Sequence, residues 1–463
     1  MGIAIFVILI LICTYMVIRK KENFIYVFMF LYPILPEYFA ININPSLPLL
    51  TAARCLFVLL IIFTIINKFK FKELKNEKNK LKYIKEHLIN LKSLIDTKFI
   101  IALIVLFVGE TINFISHHNI RNNYKEYFKI IVENILAVIV LLMNIDTREK
   151  KEKCIKILVI AAGVVFTFSI IESIFGINLA EFLDTGASNT VLKVTYYRLE
   201  KRRATLSFGH PIALSLYVVM ILPFIVYCVE KYEKWLYKAI YVLGIWTLLF
   251  TMTRGQIIIG GALIITMFFF LQKKHRKQYV ILTVLAVISA CIINYKIIYV
   301  FLNIIYSVLN MFGCNFKVEN WGENQNGFDR FDQMSMISEV TKDTPATQSI
   351  VGGGESYIER NVVQVTRANG TQYQAVSIDN QYLELFINKG IIGLICNAFV
   401  YLFLIFMFVK TKVKTDLSKT LLLSTIVTLI SYFTTCQLTT NRFFGILVCL
   451  IILENYQNMN NKN

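Results

Sequence analysis

The segment Thr251-Met252-Thr253-Arg254-Gly255 joins two apolar runs with almost no loop between them, so a tight turn fixes Arg254 at their shared edge. An arginine held there suits a phosphate or diphosphate group. Its planar fork of N–H donors matches phosphate oxygens two at a time, and it does not deprotonate. A second basic stretch, Lys201-Arg202-Arg203-Ala204-Thr205-Leu206-Ser207-Phe208-Gly209-His210-Pro211, stands directly before the apolar run at 210–229. A third polar stretch holds Phe328-Asp329-Arg330-Phe331-Asp332, then Gly352-Gly353-Gly354-Glu355, then Ser377-Ile378-Asp379-Asn380-Gln381-Tyr382-Leu383-Glu384-Leu385. Cations can neutralise a departing diphosphate, and a carboxylate or imidazole within hydrogen-bond reach can take the proton of an attacking hydroxyl. Asp379 is the first candidate for that base, with His210 and Glu355 behind it. Asp379 has an equally good structural role as N-cap of a helix through Tyr382, Leu383, Leu385 and Phe386. The three glycines permit positive φ and close backbone approach, but a plain turn accounts for them at least as well.

The elements that must position these residues are membrane spans. Of 463 residues 56% are hydrophobic and the mean hydropathy is +0.59, more apolar than a water-soluble domain requires. Apolar runs lie near 3–18, 24–42, 49–67, 99–116, 127–144, 157–174, 210–229, 237–253, 256–272, 279–296, 391–409, 420–437 and 443–454. Most approach the roughly 20 apolar residues needed to cross about 30 Å of hydrocarbon. The reading is an all-α polytopic membrane protein of about 12 to 13 transmembrane helices with two extracytoplasmic loops. The first run is followed by Arg19-Lys20-Lys21, the reverse of a signal peptide's charge order, and is read as a retained span.

A net charge of +18 would point to nucleic acid in a soluble protein. Here the basic residues concentrate at 19–23, 68–98, 146–156, 230–238, 273–278 and 410–419. With Lys462 these blocks hold 30 of the 48 Lys and Arg residues, all on one side if the spans alternate. The positive-inside rule makes that side cytoplasmic, the N-terminus external and the C-terminus internal. The 68–98 block, with ten lysines against Glu73, Glu77, Glu86 and Asp96, reads equally as an amphipathic element on the anionic inner leaflet or as a solvated charge run. Nine cysteines are scattered singly without metal-ligand spacing, so neither a metal site nor a disulfide framework is expected.

Parity divides the chain into an N-terminal transmembrane bundle (1–176), a first outer loop (177–209), spans with the Thr-Arg-Gly turn (210–296), a large outer loop (297–390) and C-terminal spans (391–463). Residues 297–312 are apolar enough for an interfacial helix or an extension of the preceding span. Ionisable residues within the apolar runs cost a few kcal/mol each at mid-bilayer unless paired or wet. Arg54, Glu110, Glu172, Arg254 and Arg442 all fall toward the outer ends of their spans, as if aimed at one outward cavity. Only Glu133 looks deep.

The chain resembles the family of O-antigen polymerases, O-antigen ligases and related Gram-positive capsule and teichuronic acid polymerases. The resemblance rests on Arg203-Ala204-Thr205 through Phe208-Gly209-His210-Pro211, the Thr253-Arg254-Gly255 turn, and Arg330 with a glycine cluster about twenty residues later. Asp379-Asn380-x-Tyr382-Leu383 leading through Lys389-Gly390-Ile391-Ile392-Gly393 into a span completes it. It covers about 200 to 409, the earlier spans matching only as a generic bundle. It implies a GT-C-like fold and a glycosyltransferase whose donor is an undecaprenyl-diphosphate-linked glycan. No metal or other cofactor is implied, and the anomeric centre is inverted. Carried over by position, Arg203, Arg254 and Arg330 would bind the diphosphate, with Arg202 and Asn380 also at the substrate. The ligases usually have a histidine where this chain has Asp379, which favours a polymerase.

The expected function is therefore polymerisation of lipid-linked repeat units into a surface polysaccharide, with the active site outside the bacterial cytoplasmic membrane. Its partners are lipid-linked oligosaccharides and membrane lipids, with room for a chain-length regulator and none for nucleic acid. A ligase, or a transporter of lipid-linked sugars, is the alternative. Transport would call for charges through the depth of the bundle and inverted repeats, and no repeat is visible.

Overall fold

A computed structural model of the chain describes residues 1–19, 22–44, 48–68, 97–187, 195–271, 274–312, 314, 316, 333–342, 346–361, 363–366, 372–374, 378–410, 415–435 and 441–460. Arg330, its neighbours at 317–332, and most of the basic block at 68–98 lie outside them. The described elements are overwhelmingly helical. In chain order they begin with α1 (Gly2–Ile18), α2 (Phe24–Leu31), α3 (Ala52–Lys68), α4 (Thr97–Ser116) and α5 (Arg121–Lys129). A π-helical turn (Ile130–Leu136) leads into α6 (Ala137–Asn144) and α7 (Arg148–Phe175). Then come α8 (Pro211–Tyr232), α9 (Trp235–Phe250), α10 (Arg254–Phe270), α11 (Arg276–Ile293), α12 (Lys296–Met311), α13 (Ser335–Lys342), α14 (Ala346–Val351) and α15 (Tyr357–Arg360). The last three are α16 (Gln381–Lys410), α17 (Asp416–Ser431) and α18 (Asn441–Asn460). Strand structure is limited to short antiparallel pairs in loops, such as Tyr197–Arg198 with Lys201–Arg202 and Gln364–Thr366 with Gln372–Gln374.

Among the described residues, five stretches have the length and composition to cross a membrane: Phe99–Ser116, Arg148–Phe175, Pro211–Tyr232, Arg276–Ile293 and Gln381–Val409. Shorter apolar helices include α1, α9 and α10. The chain is an integral membrane protein of all-α polytopic fold. Helix α8 is its centre. Pro211 starts it at a position that needs no N–H donor, and 94% of its apolar window is buried, as befits a helix apolar on every face. Helices α7, α9 and α17 pack around it. At the perimeter, α11 buries only 17% of its window and turns Ile281, Val284, Leu285, Ile288 and Ile292 outward, a surface for lipid.

Sequence runs and helices part company in places. The run at 24–42 is not one span: α2 ends at Leu31, and turns through Pro33 and Pro36 lead to a strand at Ala40–Ile41. The run at 127–144 is continuous but carries the π-helical turn at Ile130–Leu136, which holds Glu133. Residues 297–312 form the separate helix α12, broken from α11 around Asn294.

The ends of the bundle differ in kind. Basic loops gather at one end, where Lys150 meets Asp146, Lys231 meets Glu152, Lys274 meets Glu233, and the buried Lys151 binds Glu454. The two long loops meet the helices at the other. There the expectation that several charges aim at one cavity is corrected for Arg54, Glu110, Glu172 and Arg442, which have separate partners. Arg54 bonds Glu133 at 2.5 Å, Glu110 bonds Lys389 at 2.9 Å, and Arg442 donates to the Leu35 carbonyl at 2.9 Å. Glu172 holds the first loop. An unpaired charge in hydrocarbon is costly enough that such pairing outweighs convergence.

Candidate functional site

Helix α7 ends at Gly176 in the left-handed conformation (φ 74°), which releases the chain into the first loop. Near that end Glu172 is fully buried and accepts from the backbone N–H of Thr205 (2.8 Å) and Leu206 (2.6 Å) and from the Thr205 hydroxyl (2.8 Å). Arg202 closes the knot, donating to Glu172 (3.2 Å), Glu181 (3.0 Å) and the Gly176 carbonyl (2.7 Å). The guanidinium of Arg202 thus clamps the loop, with those three acceptors around it.

The next residue does a different job. Arg203 is 8% exposed and donates to the Thr251 carbonyl at 2.7 Å and the Thr253 hydroxyl at 3.0 Å, while its backbone N–H bonds the Tyr196 carbonyl. Arg198 donates to the Met252 carbonyl. Helix α9 ends in these carbonyls, and a helix C-terminus leaves its last C=O groups without intrahelical donors. Two arginines supply them, and the turn can then pass Met252 through φ 49°, a conformation a non-glycine side chain adopts at some cost. Arg254 emerges as the first residue of α10, where backbone N–H groups point outward.

His210 sits at the start of α8. Its Nδ1 accepts the Ile212 N–H at 3.1 Å, and its ring lies 4.5 Å from that of Tyr196, edge to face. That bond uses the Nδ1 lone pair and leaves the proton on Nε2, so His210 in this geometry is a helix cap.

Helix α16 is capped by Asn380 and not by Asp379. Asn380 Oδ1 accepts from the N–H of Tyr382 (2.9 Å) and Leu383 (3.2 Å). This corrects the capping role considered for Asp379, whose backbone N–H donates to Gln333 Oε1 at 2.9 Å. The helices that begin beside Asp379 and at Arg254 share one support. The Gln381 N–H donates to the Tyr432 carbonyl at 2.9 Å, while Gln256, two residues past Arg254, bonds Ser431 (3.0 Å) and Thr434 (3.4 Å). The C-terminal end of α17 therefore ties the Arg203–Arg254 turn to the Asp379–Asn380 cap. Nothing in the sequence pattern marked Gln256, Ser431 or Tyr432 for this.

Glu355 lies elsewhere. Gly352 and Gly354, both at φ 82°, press against Asn388: the Gly353 N–H donates to the Ile387 carbonyl and the Gly354 N–H to the Asn388 carbonyl, each at 2.9 Å. Across from them α16 bends at Gly390 (φ 65°), and a side chain at Gly352 or Gly390 would collide with backbone. The glycine cluster is a docking device and more than a plain turn. It sets Glu355 in the wall of a cavity of about 100 Å³ shared with Glu110, Glu126, Glu384, Lys389 and Gln381 and with the apolar Phe99, Leu103, Val400 and Phe444. Burial, then repulsion from Glu126, Glu384 and Glu110, raises the Glu355 pKa to about 8 against the pull of Lys389.

Arg203, Arg254, Asp379 and Asn380 are thus linked through α17, with His210 and Arg202 on the loop side and Glu355 in a cavity that Gln381 and Tyr432 also line. Among the described residues, no group of three or more His, Cys, Asp or Glu side chains is arranged to hold a metal ion.

A family model described as O-antigen ligase matches residues 239–398, the stretch that runs from α9 through the Arg254 turn and the glycine cluster into α16. No curated protein matches the chain.

Proposed function

We propose that the chain, matched over residues 239–398 by a family model of O-antigen ligases, is a membrane enzyme of the O-antigen polymerase/ligase superfamily and polymerises lipid-linked oligosaccharide repeat units. The observation that carries this reading is the hydrogen-bonded bridge of Gln256, Ser431, Tyr432 and Thr434, which draws the helix starts after Arg254 and Asp379 to one end of α17.

In this reading Arg254 and the N-terminus of α10 receive the diphosphate of the donor. Arg203 shapes the turn and is a positioning residue, and Arg330 adds charge from the second loop. The acceptor hydroxyl attacks the anomeric carbon as Asp379 takes its proton. The new C–O bond forms while the bond to the diphosphate oxygen breaks, and the bonding electrons leave with the lipid diphosphate. Arginines stabilise that leaving charge without a metal, and in-line attack inverts the centre. Glu355, largely protonated at neutral pH, is poorly suited as the base and serves as a donor or acceptor beside the acceptor glycan. By the positive-inside rule the site faces outward from a bacterial cytoplasmic membrane.

Ligase activity is the second reading, favoured by the description of the matched family. Both are tested by incubating the purified protein with defined lipid-linked repeat units, with and without chelator, and weighing the products. A ladder of lengths supports the polymerase, and a single transfer to a different acceptor supports the ligase. Arg254→Ala should lower the transfer rate by about 10²–10³, the scale of losing one transition-state donor. A chelator-sensitive reaction, or an unchanged ladder from Arg254→Ala, would overturn the mechanism.

A further inference from the structure

The cavity beside Glu355 has an unusual donor and acceptor balance. Glu110, Glu126, Glu355 and Glu384 line it, against one lining cation, Lys389, with Lys129 bonded to Glu126 at 3.3 Å behind the wall. Lys389 Nζ spends itself on both oxygens of Glu110 (3.0 and 2.9 Å) and stands 3.8 Å from Glu355. A further acceptor points the same way. Gln381 is 2% exposed and lines the cavity; its Nε2 donates to Glu384 at 2.8 Å, while its Oε1, among the described residues, has no hydrogen-bond partner. A buried carbonyl oxygen without a donor is costly, so its retention at a cavity wall calls for a ligand that brings donors.

We infer that this cavity binds a primary ammonium group, carried by an amino sugar or by an ethanolamine lipid headgroup. Three N–H donors and a positive charge answer both the surplus acceptors and the carboxylate excess. An anion would meet the carboxylates of Glu110, Glu126 and Glu384 beside Glu355, against Lys389 alone on the lining. A neutral hydroxyl would answer the acceptors and leave the charge unbalanced. A metal ion would need three ligands already converged, and the described residues offer no such group. The apolar side chains of Phe99, Leu103, Val400 and Phe444 take the apolar part of either carrier. The groups facing Glu355 are Lys389 and Glu384 from α16, Glu110 from α4 and Glu126 from α5, with His117 of the α4 terminus against the neighbouring Gly354. The cavity adjoins the Asp379 frame through Gln381 and Tyr432, which both line it, but binding is read without turnover and can be measured whether or not the chain polymerises glycans.

The test uses the full chain in phosphatidylglycerol nanodiscs, with glucosamine, N-acetylglucosamine and glucuronate as soluble probes that share a ring and differ in charge. Binding is read by ligand-observed NMR titration. Glucosamine should bind about tenfold more tightly than either other sugar, the scale of one charged hydrogen bond. Glu355→Gln and Gln381→Leu should each reduce that preference several-fold while the thermal transition shows the variants folded. Adding phosphatidylethanolamine to the nanodisc identifies the carrier: loss of glucosamine binding assigns the lipid headgroup, and undiminished binding assigns the sugar. Equal binding of the three sugars, or full preference retained in both variants, would overturn the inference.

Discussion

The first loop and the second loop use charge in opposite ways. In the first, the arginines are met by fixed acceptors: Arg198 and Arg203 bond the carbonyls at the end of α9, and Arg202 and Glu172 fasten the loop to α7. In the second, carboxylates outnumber the cations around the cavity, and Glu355 holds its proton to about pH 8. A saturated network makes a rigid scaffold, whereas an unbalanced one is poised for something to bind or titrate. The difference suggests that Arg254 is presented by a fixed frame and that Glu355 responds to its surroundings.

That contrast can be broken at either end. The largest effect is expected on the rigid side. Arg203→Ala removes two bonds from a strained turn and should cut transfer about 10²-fold, because small misplacements of reacting groups are costly. Arg203→Lys should recover little of this, since a single ammonium cannot span both Thr251 and Thr253. Rates of both variants in the lipid-linked glycan assay decide the point, and full activity of Arg203→Ala would show that the turn holds without its clamp.

On the unbalanced side, the effect is on stability and its pH dependence. The folded pKa of Glu355 lies above its usual value of 4.5, so its proton is bound more tightly in the folded state. Its contribution to stability is fully present below the unfolded pKa and is lost as pH rises through about 8. Glu355→Gln should therefore raise Tm by several degrees at about pH 9 and change it little at about pH 5. The reverse order in a thermal scan would mean that Lys389 holds Glu355 ionised.

The smallest effect concerns His210. As a cap it should be replaceable: His210→Asn keeps Tm and activity, whereas His210→Ala loses about 1 kcal/mol of stability. An inactive but stable His210→Asn would return the histidine to the chemistry.

Much of the frame was legible in the sequence because hydropathy is local. The membrane fold, the ends of α4, α8 and α10, and the Thr251–Arg254 turn follow from runs of side chains and their flanks. What escaped depends on pairings across the chain. Glu110 and Glu133 stood out as charges in apolar runs, yet their partners Lys389 and Arg54 are 279 and 79 residues away. The choice of Asn380 over Asp379 as cap turns on one residue of register, and both types cap well. Pro33 and Pro36 carried the break in the 24–42 run, which apolar composition alone concealed.

The central claim is that Arg254 and Asp379 act on one reaction centre in separate roles. Steady-state and binding measurements on Asp379→Asn, with the purified protein and a defined lipid-linked repeat, test it most directly. The account predicts a fall in kcat of about 10²–10⁴, the range for a general base, with donor affinity unchanged. Weakened donor binding at an unchanged kcat would contradict it.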